Sequence, residues 1–279
     1  MNNIDMQKLD YYEPIQIGEG VYWVGYSDDQ AGLHCNPYLI VDGDEVVLID
    51  GGSRDDFSTV MLKIMRLGID PKQINRLIYQ HFDPDLCGNL PHLEAIIPNP
   101  DLQIISHKEN NVFINYYSSK TPKLCIEKIG YVHTFKSGRR LEFYRTPYAH
   151  CPGSFITFDT KTKTVFTSDI FGSYDIDWHL YKELSDKCHD CIPQSICHED
   201  DRKCPLHGIL QFHRQVMNSS ESLRYALEQV ERLNPTLIAP QHGSLISKKR
   251  DIETIIKRLK EEKYIGFEYY IQEKMNGKS

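Results

Sequence analysis

The sequence predicts an α/β layered sheet. Three observations carry that expectation: short β-rich runs, intervening segments with apolar residues at helical spacing, and His/Asp clusters placed just beyond strand ends. The 279 residues, 40% hydrophobic and 11% aromatic, supply ample material for a large core. The charged fraction of 25% is ordinary, so an ordered chain is expected.

The elements follow in order. GVYWVGY (20–26) is aromatic and β-branched and reads as a strand. PYLIVDGDEVVLID (37–50) reads as two strands joined at Asp42-Gly43-Asp44, a hairpin signal. In 57–69, Val60, Ile64 and Leu67 recur at helical spacing. RLIY (76–79) is a short strand that runs directly into His81-Phe82-Asp83-Pro84-Asp85. Residues 103–106 suggest another strand, and 154–159 with 164–167 suggest a pair, with Ser168-Asp169 just past it. Ser219 and Ser220 are candidate caps for a helix to Leu233 that carries Leu223, Leu227 and Val230 on one face. Pro235 ends it, 237–239 is a strand, and Gln241-His242-Gly243 follows at once. A last amphipathic helix covers roughly 249–263. The stretch from about 184 to 211 has no clear period and reads as an insertion within one domain spanning 1–279.

Charge and composition narrow the function classes. A formal charge of −7 argues against a basic nucleic-acid face and against a polybasic membrane anchor. MNNIDMQKLDYYEP lacks the apolar stretch of a signal peptide, and no apolar run approaches a membrane span. Eight cysteines are too few for a disulfide scaffold at this length, so reduced thiols and a cytoplasmic location are expected.

His81, Asp83 and Asp85 place three potential ligands at every second residue, and on an extended segment such residues share one face. The bland alternative is an Asp-rich turn in which Asp85 caps a helix. Together with His150, Asp169 and His242 the set holds three imidazoles and three carboxylates, suited to iron, manganese or zinc. Charge balance favours two ions. Two divalent metals offset three aspartates and one bridging hydroxide, and a near-neutral site avoids a large desolvation cost.

This order of residues resembles the metallo-β-lactamase superfamily, whose hydrolases usually carry His-x-His-x-Asp-His and bind zinc. Here Asp83 stands at the second position, as a carboxylate does in the flavodiiron proteins. His150-Cys151-Pro152-Gly153-Ser154 and Ser168-Asp169-Ile170-Phe171-Gly172 are similar to the same branch, and the resemblance spans roughly 36–244. It implies a metallo-β-lactamase-type αβ/βα sandwich with two iron ions bridged by oxo/hydroxo or peroxo species. It further implies one iron on His81, Asp83 and His150, a second on Asp85 and His242, and Asp169 shared by both. Two departures accompany it: Leu86 stands where a histidine is common, and Asp83 is shorter than the family's usual Glu.

Flavodiiron proteins also carry a flavodoxin-like FMN domain. This sequence has no Gly-rich phosphate loop after a strand, so no FMN is expected in it. The resemblance is then to the stand-alone oxygen-binding di-iron proteins of anaerobic bacteria. It implies an oxygen, redox or iron sensor with dioxygen as ligand, a homodimer, and a chemoreceptor or other signalling protein as partner. The alternatives are an oxygen or nitric oxide reductase served by an external donor, and a metallo-hydrolase.

Cys188-x2-Cys191-x5-Cys197-x6-Cys204, with His189, His198 and His207, is a loose match to a zinc or iron–sulfur motif. A lid carrying free thiols is the expected reading. Cys35, Cys87, Cys125 and Cys151 read as packing residues, with Cys87 and Cys151 flanking expected ligands.

Overall fold

The structure is a computed structural model that describes residues 9–26, 33–118, 120–175, 178–190 and 204–275. Two sheets are present. One has seven strands in sequential order: β1 (Ile15–Gly18), β2 (Val21–Trp23), β3 (Tyr38–Asp42), β4 (Glu45–Ile49), β5 (Ile74–Ile78), β6 (Gln103–Ser106) and β7 (Lys123–Cys125). The other has the order β12-β11-β10-β9-β8, with β8 at Val132–Thr134, β9 at Arg140–Arg145, β10 at Phe155–Asp159, β11 at Thr164–Phe166 and β12 at Leu237–Ala239. By its contacts the chain divides into two compact units. Among the described residues the first is built from 9–26, 34–143 and 159–162, the second from 144–158 and the chain from 163 on, with residue 33.

In the first unit β1 to β4 form an antiparallel meander, and β4 to β7 run parallel. The hairpin signal holds: Asp42 pairs with Glu45 around Gly43, whose φ of 64° is available to glycine without strain. Every residue of β4 is buried, as a parallel strand covered on both faces requires. Helices α1 (Phe57–Arg66), α2 (Pro84–Cys87), α3 (Leu90–Ile96) and α4 (Lys108–Tyr117) supply the crossovers. Val60, Met61 and Ile64 of α1 and Leu90 and Leu93 of α3 pack with Leu39, Leu48 and Leu77 of the sheet. Lys63 is buried on α1. Its Nζ donates to Tyr11 O (2.7 Å) and Gly25 O (2.6 Å) over the Trp23 ring, and burial pushes its pKa down to about 7.

In the second unit α5 (Asp186–His189), α6 (Pro205–Val216), α7 (Ser220–Leu233), α8 (Lys249–Glu261) and α9 (Phe267–Met275) accompany the strands. Ser219 caps α7 by accepting from the Ser222 N–H (3.1 Å), and Asn234 closes it at φ 45° just before Pro235. Leu223, Leu227 and Val230 of α7 and Ile252, Ile255 and Leu259 of α8 form one apolar cluster with Val165 and Ile238 of the strands.

Several elements depart from the sequence reading. The strand expected over 20–26 is confined to Val21–Trp23, and β1, β7, β8, β9, α3, α4 and α9 had no legible signal. The stretch 184–211 is not uniformly irregular. Its end is the first half of α6, whose Leu206, Ile209 and Phe212 recur at helical spacing and are buried. Among the described residues, no helix is long and apolar enough to cross a membrane.

Candidate metal centre

Each ligand-type residue stands just past a strand end. In the first unit, β5 ends at Ile78 and His81 lies three residues on. The backbone there is clamped: Gln80 donates from its N–H and Nε2 to the two Asp50 oxygens (3.0 and 2.8 Å), and Asn110 Nδ2 donates to Gln80 O (3.3 Å). Asp83 occupies the N-cap position of α2, Pro84 follows at the first helical position, and Asp85 sits in the first turn. Asp83 makes no capping hydrogen bond with its side chain. The cap belongs to Asp83 by position, not to Asp85. One ligand atom from each of His81, Asp83 and Asp85 lies within 4.8 Å of the others, with His81 Nε2 3.8 Å from Asp83 Oδ2. Leu86 is fully buried in the apolar cluster.

In the second unit, β11 and β12 pair in parallel with Phe166 opposite Ala239. Asp169 and His242 each lie three residues beyond that pair, so the register makes them counterparts at one sheet edge. The Gln241 N–H donates to Ser168 O (2.7 Å) and ties the two extensions together. His150 comes from the turn between β9 and β10, where its carbonyl accepts from Asn218 Nδ2 (2.6 Å). Asp169 Oδ2 is 2.9 Å from His150 Nε2, and its Oδ1 is 3.9 Å from His242 Nε2.

The donor set fits metal ions. Two donors each about 2.1 Å from a shared ion lie about 3 to 4.2 Å apart, depending on the angle between them. The separations at Asp169 and at His81–Asp83 fall in that range. Imidazole and carboxylate together suit iron, manganese or zinc. The structure thus brings His81, Asp83 and Asp85 together in one unit, and His150, Asp169 and His242 together in the other.

Both flanking thiols are buried. Cys87 Sγ is 3.7 Å from His81 O, and burial, with the Asp50, Asp85 and Asp83 carboxylates adding to it, pushes its pKa well up. It is therefore a neutral packing group. Cys151 Sγ is 3.6 Å from His150 Nδ1, on the ring edge away from Asp169. The cysteines described are free thiols. In the Cys-rich stretch, Cys191, Cys197 and His198 lie outside the described residues. Cys188 contacts Ser185 Oγ (3.3 Å), His189 is engaged by Thr254 Oγ1 (2.7 Å) and Asp251 (3.2 Å), and His207 is exposed.

Sequence reasoning missed two neighbours of these candidate ligands. His213 and Phe212, consecutive on α6, touch the Asp169 loop and the His242 ring. Their only sequence signal is the helical spacing that begins at Leu206, inside a stretch otherwise rich in cysteine, histidine and charge.

Comparison with known proteins bears on this geometry. Over 93% of this chain and 99% of the other, the structure is similar to a peroxy diiron species of the chemotaxis sensor ODP, with a TM-score of 0.74 and 23% identity. It is also similar to rubredoxin oxygen:oxidoreductase from the anaerobe Desulfovibrio gigas, with a TM-score of 0.70 and 21% identity, covering 89% of this chain and 61% of that one. These likenesses show the fold, an α/β architecture of metallo-β-lactamase type with two sheets and flanking helices. In sequence, 185 residues are 26% identical to the anaerobic nitric oxide reductase flavorubredoxin of Pectobacterium carotovorum, 62% of this chain and 36% of that protein. The chain spans about a third of the length of the curated relatives it matches. Residues 33–243 match the family described as ODP family beta lactamase, and the chain belongs to that family.

Proposed function

We propose that this chain is a single di-iron domain that binds dioxygen and serves as an oxygen or redox sensor. In this reading His81, Asp83 and His150 hold one iron, Asp85 and His242 hold the other, and Asp169 serves both. The observation that carries it is the Asp169 carboxylate, whose two oxygens are turned to different histidines. Ferrous iron, when bound, supplies the electrons that dioxygen accepts. The chain's own residues set the rest. Three imidazoles and three carboxylates keep the centre near neutral, and Gln80, Asp50 and Asn110 hold the His81 backbone in place. Buried Cys87 and Leu86 exclude water beneath the first-unit ligands.

The likeness to a chemotaxis sensor supports a signalling role with a chemoreceptor or similar protein as partner, and the resemblance to flavodiiron proteins supports a homodimer as the working form. The likeness to oxygen and nitric oxide reductases favours a second reading, turnover with an external electron donor. The deciding experiment is anaerobic reconstitution with Fe(II), metal counting and optical spectra after oxygen is added. About two irons per chain with a long-lived charge-transfer band support the sensor. Rapid oxygen consumption sustained by reductant supports the reductase. Tight zinc with no response to oxygen overturns both and leaves a hydrolase.

A further inference from the structure

Helix α6 meets the second-unit ligands with two consecutive side chains. His213 is fully buried and uses both ring nitrogens: Nδ1–H donates to Ile209 O (2.7 Å), and Nε2 accepts from the Phe171 N–H (3.0 Å). A nitrogen that accepts from an N–H carries no proton, so the tautomer is fixed. Burial holds its pKa down to about 4, and the ring stays neutral. Phe171 lies at φ 71° and Ser168 at 54°, left-handed conformations that cost a non-glycine residue energy unless neighbours hold them.

The hold is close. Thr167 Oγ1 donates to Ile170 O (2.6 Å), and the Gly172 N–H donates to Asp169 O (2.9 Å). A Cβ on Gly172 would come within 2.5 Å of the Phe212 ring, and one on Gly208 within 2.2 Å of Tyr174 O. The helix therefore presses on 169–174 as closely as backbone allows. The Phe212 ring in turn lies 5.6 Å from that of His242, tilted by 51°.

We propose that His213 and Phe212 are positioning residues for the metal centre: His213 orients the Asp169 carboxylate through the Phe171 N–H, and Phe212 orients the His242 imidazole. This rests on the di-metal reading above. A carboxylate shared by two ions must present both oxygens within a few tenths of an ångström, so a brace on its loop acts directly on affinity.

The test uses the full chain and four proteins: wild type, His213→Leu, His213→Gln and Phe212→Leu. The Gln side-chain oxygen can accept from the Phe171 N–H where Nε2 does now, and Leu cannot. Two readouts are taken: amide hydrogen exchange at 170–172 in the metal-free protein, and Co(II) affinity with its visible d–d bands. His213→Leu is expected to speed exchange and weaken Co(II) by about tenfold or more with altered bands. His213→Gln should restore both, and Phe212→Leu should shift the bands while sparing the Phe171 amide. If His213→Leu does not fold by circular dichroism, His213→Asn, too short to reach Phe171, takes its place. Unchanged exchange and bands in the Leu or Asn variant overturn the proposal, as does a Gln variant no better than Leu. A wild type that takes up no Co(II) overturns the di-metal reading alone, and the exchange data still decide the His213 brace.

Discussion

Asp169 and His150 face each other at 2.9 Å, Oδ2 to Nε2, while the second Asp169 oxygen is turned to His242 at 3.9 Å. A carboxylate that served only one histidine would have no reason to divide its oxygens between two. The division gives Asp169→Asn a distinct expected outcome. The amide keeps the shape and removes one anionic donor, so bound iron should fall from about two to about one or fewer per chain. Elemental analysis of the anaerobically reconstituted variant measures it, and two irons retained would show that Asp169 is not shared.

Asp83 sits at the N-cap of α2 without capping it through its side chain. Asp83→Ala should therefore cost the metal-free protein no capping bond, so any shift of its unfolding midpoint comes from the pair with His81 and its other contacts and stays below that of a lost cap. A true cap would cost about 1 kcal/mol on removal. The same change should weaken metal binding by at least about tenfold. Chemical denaturation and a metal titration of one preparation separate the two effects.

Metal removal should lower stability by mass action. At metal concentrations about 100-fold above Kd, a ligand that binds only the folded chain adds about 2.7 kcal/mol per site. Chelation should lower Tm accordingly, and restored Fe(II) should recover it. Calorimetry under nitrogen checks this.

Arg139 and Asp159 form a buried bidentate pair, Nε to Oδ1 at 2.9 Å and Nη2 to Oδ2 at 2.5 Å. Removing the acid leaves a buried guanidinium with only the Asp42 carboxylate, 3.8 Å from Nη1, as its counter-charge, and breaking such a pair typically costs about 3–5 kcal/mol. Asp159→Ala should lose that much in urea denaturation, far more than Lys136→Ala, which breaks only an exposed pair with Asp44.

His133 supplies the pH dependence. Burial first, then the nearby Arg76 charge, lower its pKa from 6.5 to about 4. Between those values the unfolded chain binds a proton that the folded chain does not. Stability is thus complete above about pH 6.5, falls as pH drops toward 4, and levels off below it. The loss from this group is at most about 3 kcal/mol. In His133→Leu, stability between pH 7 and 4 should fall by correspondingly less, as denaturation at the two pH values would show.

Apart from His150, the candidate ligands were legible because each is chemically marked and sits beside a marked strand: His81, Asp83 and Asp85 follow β5, and Asp169 and His242 follow β11 and β12. The buried β4 and the hairpin before it were legible for the same local reasons. Helix α4 was not, since Val112, Phe113 and Tyr116 are exposed while Asn110 is buried, which inverts the usual pattern. Nor was the role of His213, whose partner Phe171 is 42 residues away. Local spacing carries no record of a contact at that range.

The parallel register of β11 and β12 decides where this chain can change length. Asp169 and His242 stand on three-residue stubs beyond Phe166 and Ala239. One residue gained or lost in a stub would move the side chain at its end by up to about 3.8 Å, one Cα–Cα step, further than the metal–ligand bond of about 2.1 Å proposed for it. The excursion between them, which contains α5, α6 and α7, begins and ends beyond the stubs and is free of that restriction outside the part of α6 that grips the Asp169 loop. Insertions and deletions among chains of this architecture should accordingly gather in the excursion and stay away from the stubs, whose length the proposed metal site would fix.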